Sequence, residues 1–548
     1  MVKRRTDERL TRNDFGYLLC YLLSMWNRRG VAILTAMFLV VLLFSLIIAL
    51  AHQTTTDTLF LRQGYLRNQA IFAARAGVNL GLKHMVETAG WETTHASEAE
   101  AEETTVEGAE LKIWASASPQ PNVMFLHCVA TFNGITERVT ATVARGSDIQ
   151  GTVFAEVSRD GIDSLFFTTP GAPWTIVPPA PYKYYVHDNV TDTINLVSTG
   201  SFASNLGFVC PDDNNNLYAV MRRDGSDAVY RYAPDGTWTV LPAVISAYYD
   251  GSGNLITRPD KVAGDLRDLT SDGQKRLVVR LNRDNIDTIY TLDVAAWEAD
   301  PTVTWSTIKP APKRYYNDAG VLIDGSGFSH NLRNLSLDPN GTLYAVQGID
   351  GRPDTMFSYD FASAQWSLLP PPPRVRYRTD GTVQVETGSY PGNFAGGMAA
   401  GPEGEVFVCY DPDDRASTIY KFSPSGPADA SGVVPGQWTW LSPPPRRYNT
   451  SAGVVEQGGF CGNLRYLNVD RDGNVYVRWA RSGRDEVMAM SARSGYWELL
   501  GSLPLQYYGQ DGVLRAADQN WNVNINSMGV GSPDNPSSGG AVRWLSTY

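Results

Sequence analysis

The sequence predicts a mixed fold: a long N-terminal α-helix with a small antiparallel β head, then an all-β propeller of six blades, with seven as the alternative. Three observations predict it. An uncharged stretch of 21 residues, Val31–Ala51, is followed by a long, polar, turn-rich body. At about 1.5 Å per residue it crosses a hydrocarbon core of about 30 Å as a helix. Six tryptophans, Trp174, Trp238, Trp305, Trp366, Trp438 and Trp497, recur at spacings of 64, 67, 61, 72 and 59. Finally, 50 Gly and 32 Pro beside 14 Trp and 27 Tyr favour short strands and turns over helices.

Charge and cysteines narrow the function classes. The net charge is −11, while residues 1–30 hold seven Lys/Arg against three Asp/Glu, so the remainder sits near −15. An acidic body lacks the clustered cations of a nucleic-acid grip, and no nucleic-acid partner is expected. Cys20, Cys128, Cys210, Cys409 and Cys461 are odd in number and widely spaced. They form neither a zinc pattern nor a disulfide framework. One pairing, Cys409 with Cys461, stays open against small buried thiols.

The N-terminal stretch comes first in the chain. Lys3, Arg4, Arg5, Arg9, Arg12, Arg28 and Arg29 all precede the apolar run. The positive-inside rule holds that end in the cytoplasm and sends the body outward. A plain signal anchor is the simplest reading. A sharper one lies in Arg28-Arg29-Gly30 followed by VAILTAMFLVVLLFSLIIALA. This resembles the class III signal of type IV pilins and pseudopilins, which implies cleavage between Gly30 and Val31 by a prepilin peptidase. Downstream, YLRNQAIFAARAGVNLGLKHMV (65–86) is similar to the helix of PilX- and K-type minor pilins and pseudopilins. Their A-E-A-G element reads Ala74-Arg75-Ala76-Gly77 here. Two positions depart from the pattern: Val31 replaces Phe or Met, and Thr35 replaces the usual Glu of the fifth mature position. The second departure implies a tip or initiator subunit, since that Glu recruits the next subunit. An apolar run at 15–26 within the leader has no assigned role.

The head follows. Ile71, Val78, Leu82 and Met85 fall on one helical face, expected to cover a sheet. Residues 97–110, SEAEAEETTVEGAE, read as an exposed acidic loop. Strands are expected at 111–115, 123–132 and 136–145, with Asn133-Gly134 as a hairpin turn. ATFNGITERVTATVAR resembles the last hairpin of PilX-type subunits. The expected domains are a leader at 1–30, a pilin-like helix and head at 31–149, and a propeller at 150–548.

Each repeat Trp opens a Pro-rich exit such as WSLLPPPP or WTWLSPPP. A tyrosine group follows: Tyr184-Tyr185, Tyr248-Tyr249, Tyr315-Tyr316, Tyr377, Tyr448 and Tyr507-Tyr508. Strand–turn–strand units come next, as in LSLDPNGTLYAV, and resemble NHL- and kelch-like repeats. Four short strands per repeat, six times over, make a propeller. Residues 152–177 supply three strands and residues 522–530 a fourth, so the C-terminal strand is expected to complete the first blade. A seventh blade requires AVRWLSTY (541–548) to be an extra strand.

The chemistry expected of this body is binding. No G-x-S-x-G, HExxH or P-loop occurs, so neither catalytic residues nor a cofactor are assigned. Asp470-Arg471-Asp472-Gly473-Asn474 begins like a calcium loop but sits between strands, so it reads as a turn and no metal is assigned. The Trp residues read as packing between blades. The inserts after each Pro cluster place cations beside the ten tyrosines on one face of the disc. Those tyrosines read first as braces between neighbouring hairpins, and they are also the candidate ligand contacts for a surface glycan or protein. The resemblance implies a minor pilin or pseudopilin displaying an adhesive propeller at a filament tip. Its partners would be other pilin subunits, its location the inner membrane before assembly and the cell surface after it. The alternatives are a structural initiator of a secretion pseudopilus and a membrane-anchored enzyme acting on surface polysaccharide.

Overall fold

The computed structural model describes residues 31–547 except 88–90, 118–122, 145–148, 150, 158–162, 224, 283–285, 349–351, 379–381, 387–389, 393, 395, 412–415, 451–452, 482–483, 518–523 and 532–544. The leader, its apolar run and Gly30 lie outside the described residues. Val31 and Thr35 begin the helix, but their side chains are also outside them. The chain forms two units, Met1–Gly146 with Arg543–Tyr548, and Ser147–Val542.

In the first unit one helix, α1 (Val31–Glu87), runs for 57 residues. Its N-terminal part is apolar and exposed, from Met37 at 63 % to Leu50 at 55 %. By length and composition it is able to cross a membrane. Ser45, Thr54 and Thr55 turn their hydroxyls onto the i−4 carbonyls of Val41, Leu50 and Ala51, so these polar groups need no water.

The C-terminal part of α1 lies on a sheet of β1 (Glu102–Val106), β2 (Ala109–Ala117), β3 (Val123–Phe132) and β4 (Ile135–Ala144), in that order. The contact line differs from the expected one. Val78 and Met85 are buried, but Ile71 and Leu82 are only half-buried. The line itself is small: Ala70, Ala74, Gly77 and Gly81. A Cβ at Gly77 would overlap Cys128 Sγ, and one at Gly81 would stand 2.8 Å from Ile113 Cγ2. Absent side chains let the helix rest directly on the apolar face of Leu111, Ile113, Leu126 and Cys128.

Two turns set the register. Asn133 and Gly134 have φ of 48° and 79°, the left-handed pair of a type I′ hairpin. Glu107 and Gly108 repeat it at 48° and 83°, which makes β1 a strand where a loop was expected. Glu102 accepts from the indole of Trp91 at 2.7 Å and lies 2.8 Å from His84 Nδ1. That anchoring offsets the low strand preference of the acidic run.

The sheet has a fifth strand from the far end of the chain. Leu545–Thr547 pairs antiparallel with Thr142–Ala144 of β4. That end, the alternative source of a seventh blade, is therefore part of the first unit, and the two units divide after Gly146.

The second unit is a propeller of six four-stranded antiparallel blades. Blade 1 joins Ile525–Gly531 to Thr152–Val157, Ser164–Thr168 and Thr175–Ile176, so the C-terminal strand supplies its innermost edge. Blades 2 to 6 start at Leu206, Leu266, Leu332, Met398 and Leu464. Between the outermost strand of each blade and the innermost strand of the next stands a two-stranded hairpin, six in all. Strand alternation puts all six hairpins on one face of the disc. The chain enters blade 1 at Thr152 and leaves it at Gly531 on the opposite face.

Candidate functional site

The hairpin face and the central channel are the two candidates. The channel holds a cavity of about 240 Å³ lined by the innermost strands, including Phe208, Asp268, Asn334 and Tyr466. Each of these four sits at a bulge with φ between 51° and 54°. Asn and Asp adopt that region readily, whereas Phe and Tyr are held in it.

The channel's polar groups are already engaged. Ser527 Oγ accepts from Val209 N at 2.7 Å, Thr270 Oγ1 from Leu337 N at 3.1 Å and Ser336 Oγ from Ala400 N at 2.8 Å. Each bond joins one blade to the next, so these hydroxyl oxygens help to close the ring. On the face opposite the hairpins, Arg471 of blade 6 pairs with Asp213 of blade 2 and donates to Asp272 O of blade 3. Burial pushes the Asp213 carboxyl up to about 6 against the pull of Arg471, with Asp212 and Asp272 adding to the rise.

The Asp470 turn is what its neighbours suggest. Asp470 Oδ1 accepts from Asp472 N and Asn474 N, and Oδ2 from Asn474 Nδ2 and Tyr476 Oη. Asp212 does the same in blade 2. The carboxylates are consumed by an Asx turn. Among the described residues no cluster of three His, Cys, Asp or Glu is placed to hold a metal. The adjacent carboxylates Asp413 and Asp414 lie outside the described residues. Cys409 and Cys461 are buried and unpaired; burial raises the Cys461 thiol to about 12.

Each repeat Trp bonds backward around the ring. The indoles of Trp238, Trp305, Trp366, Trp438 and Trp497 donate to the carbonyls of Pro178, Pro242, Lys309, Pro370 and Ser442 in the exit from the preceding blade. Trp174 donates to Gly501 O and closes the circle from blade 1 to blade 6. These are joints between blades, not ligand platforms.

The ten tyrosines divide. Tyr249, Tyr316 and Tyr377 are buried at 8 %, 5 % and 6 % exposure, which withdraws them from contact with a surface ligand. Tyr377 Oη donates to Leu441 O, and Tyr185 Oη to Leu241 O, each in the following blade. Tyr184, Tyr185, Tyr248, Tyr315, Tyr448, Tyr507 and Tyr508 are half-buried. Three of them lie beneath an arginine of the following blade: Arg223 at 3.6 Å from Tyr184, Arg352 at 4.8 Å from Tyr315, and Arg481 at 3.6 Å from Tyr448.

Neighbouring hairpins also brace one another. The turn glycines Gly253, Gly320 and Gly512 have φ near 72–82°, and a Cβ at each would overlap Phe328, Tyr390 and Phe202 of the adjacent hairpin segment. The six hairpins thus make a crown on the disc in which, at three boundaries, a turn rests against an aromatic of the next hairpin segment.

Two sets of residues carry no obvious motif. An acid opens the third strand of most blades and holds the next blade's first backbone N–H: Asp227 to Leu266 at 2.6 Å, Asp287 to Leu332 at 2.7 Å, Asp485 to Ile525 at 2.8 Å. Asp354 reaches Phe394 N in the same way. The recurring D-x-x-Y/F element (DAVY, DTIY, DTMF) is the signal that reveals it. Glu156 is the other. It is fully buried in blade 1, and neither carboxylate oxygen has a well-formed hydrogen bond. Burial and the nearby Asp163 hold its carboxyl well above the usual range, while Arg222 and Arg478 oppose them.

No known protein family and no curated protein is matched by the chain. Solved structures share its propeller architecture at low similarity. TolB from Acinetobacter baumannii is 9 % identical, with 77 % of this chain and 83 % of that one covered, at a TM-score of 0.35. A putative 6-phosphogluconolactonase from Bacteroides uniformis is 11 % identical over 70 % and 100 %, at 0.32. Virginiamycin B lyase from Staphylococcus aureus is 8 % identical over 66 % and 87 %, at 0.26. At these values the likeness carries nothing about activity.

Proposed function

We propose that this chain is a minor pilin- or pseudopilin-like subunit that displays a β-propeller binding module outside the cytoplasm, at the tip of a type IV-like filament. The observation that carries the binding half is the crown: six hairpins, braced against one another at three boundaries, on the face opposite the one where the chain enters and leaves the disc. Binding is favoured over catalysis because the channel's hydroxyl oxygens serve to join blades and, among the described residues, no hydrogen-bonded nucleophile–base pair lines it. The pilin half rests on the Arg28-Arg29-Gly30 signal, the apolar helix and the Ala74–Gly77 element, with a small sheet laid on the helix beyond it. Cleavage after Gly30 by a prepilin peptidase and assembly with other subunits belong to this reading.

The full chain co-expressed with a prepilin peptidase tests it. Mass spectrometry is expected to find Val31 at the mature N-terminus, and sheared filaments are expected to carry the chain at one end. An intact leader sinks the pilin half. A glycan array probed with the full chain in detergent separates the rest: binding without turnover fits the module, and turnover of a bound polysaccharide replaces it with the enzyme reading.

A further inference from the structure

The crown has an unusual outer surface. Among the described residues of 147–542, twelve large hydrophobic side chains are exposed, and eleven of them lie on the six hairpins; Tyr496 is the exception. Every hairpin contributes at or just past its turn: Val190 at 93 %, Leu255 at 46 %, Val321 at 55 %, Val383 at 45 %, Val454 at 59 % and Val513 at 55 %. Scattered single apolar residues need no explanation. A ring of them, one group per repeat on one face and almost none elsewhere, does. Strand propensity alone does not supply it, because Thr serves an exposed strand position as well as Val and without the cost of exposing aliphatic surface. Together the eleven residues expose on the order of 900 Å², against about 800 Å² per partner in a standard stable interface.

Charge says what covers this ring. The six hairpins carry eleven Lys/Arg and ten Asp/Glu, a net of +1, whereas the rest of residues 147–542 carries −14. Two copies of the disc approaching by any other face bring like charge against like charge. Crown to crown they do not. Both signs recur on four of the six hairpins in one sense, cations such as Lys313, Arg314 and Arg447 along the first strand, acids such as Asp318, Asp324 and Glu456 at or after the turn. A two-fold axis in the plane of the crown superposes a ring of six on a second ring of six. It sets aliphatic tips against aliphatic tips and lets first-strand cations meet acids of the partner.

We infer that the crown is a homotypic docking surface, and that its occupant is the crown of a second copy of this chain. This rests on the binding-module reading and names the partner class: the same protein, presented from an opposing membrane or filament. The tyrosines and arginines beneath then act as the rigid base that holds the aliphatic tips level, not as the contact itself.

The test uses the full chain reconstituted in lipid vesicles, with Cys20→Ser as background, since Cys128, Cys210, Cys409 and Cys461 are buried. In that background Val454→Cys is expected to yield a cross-linked dimer under mild oxidation, while Asn340→Cys, on the opposite face, is not. Vesicles carrying the chain are expected to cluster by light scattering, and Val321→Asp with Val454→Asp to cut clustering at least tenfold with an unchanged thermal transition. A dimer formed through Asn340→Cys but not Val454→Cys, or clustering unaffected by the paired Asp substitutions, overturns the inference. Glycan or protein binding by vesicles that never cluster overturns it too, and leaves the binding-module reading standing.

Discussion

At the scale of single residues, the joints between blades are where a small change has a large effect. Asp227 and Asp287 occupy the same repeat position and hold Leu266 N and Leu332 N across two successive blade boundaries. Asp287 also faces Arg280, which is 6 % exposed and pairs with Asp268 as well. Asp227→Ala loses two bonds and orphans the N–H groups of Arg223 and Leu266, an expected cost of about 1–3 kcal/mol. Asp287→Ala in addition strips a buried guanidinium of one carboxylate and is expected to cost about 3–5 kcal/mol. Denaturant unfolding of the two variants side by side checks the order; equal costs would mean that Asp268 alone satisfies Arg280. Glu156 sets a pH dependence. Its folded carboxyl is held above its ordinary value of 4.5, so the folded state binds the proton more tightly than the unfolded state does. The stability this contributes is complete below that ordinary value and is lost as pH rises through the raised folded value. Glu156→Gln keeps the shape without the titration. Its melting temperature is expected to match the parent near pH 4 and exceed it near pH 8, measured by calorimetry across that range.

At the scale of elements, the helix of the first unit shows what hydrophobic periodicity misses. The apolar spacing of Ile71, Val78, Leu82 and Met85 found the right side of α1 but not its closest line, because that pattern follows side-chain size. Contact with a sheet follows instead where size is absent, at Gly77 and Gly81. Gly77→Val is therefore expected to push the helix off Cys128 and Leu111 and destabilise the head by about 1–3 kcal/mol, despite the higher helix propensity of Val. Limited proteolysis reads it out: faster cleavage within β3 and β4 at unchanged cleavage of the propeller. The repeats were more legible. Six Trp phases gave the blade count, because each Trp is a joint that every blade boundary needs. The hairpin inserts were legible from Pro and turn residues, and so was their bracing of one another, which the tyrosine groups favour over ligand contact. Which tyrosines are buried was not legible, since neighbours such as Tyr248 and Tyr249 point to opposite sides of a strand and composition does not say which side meets the next blade. For the same reason the exposed aliphatic ring stayed hidden: alternation fixes two faces without naming the outer one.

At the scale of the whole molecule, the end of the chain has two separate tasks that its sequence alone did not divide. Ile525–Gly531 is the innermost strand of blade 1 and pairs with Thr152–Val157 across about 370 residues of chain. Leu545–Thr547 pairs with β4 of the first unit, at a similar separation from its partner. Pairings so distant leave no local pattern, which is why a seventh blade from 541–548 stood as the alternative to six. The propeller is thus bound into the chain at both ends, entering after Gly146 and returning before the last strand. The ring needs only the first of these strands. Without Ile525–Gly531, blade 1 loses the edge that carries Met528 and Ser527, the Asp485 joint loses its N–H, and blade 6 has no neighbour to cover its inner strand. A repeat array closed in a circle then becomes an open one with two exposed ends. Without Leu545–Thr547 the ring keeps every blade, and only the end of β4 is uncovered. Truncation after residue 542 is expected to leave a single sharp propeller transition, with faster amide exchange confined to Thr142–Ala144. Truncation after residue 524 is expected to broaden that transition and release amide protection first in blades 1 and 6. Hydrogen exchange by mass spectrometry separates the two, and equal loss of protection from both truncations would show that the returning strand, not the closing one, holds the disc together.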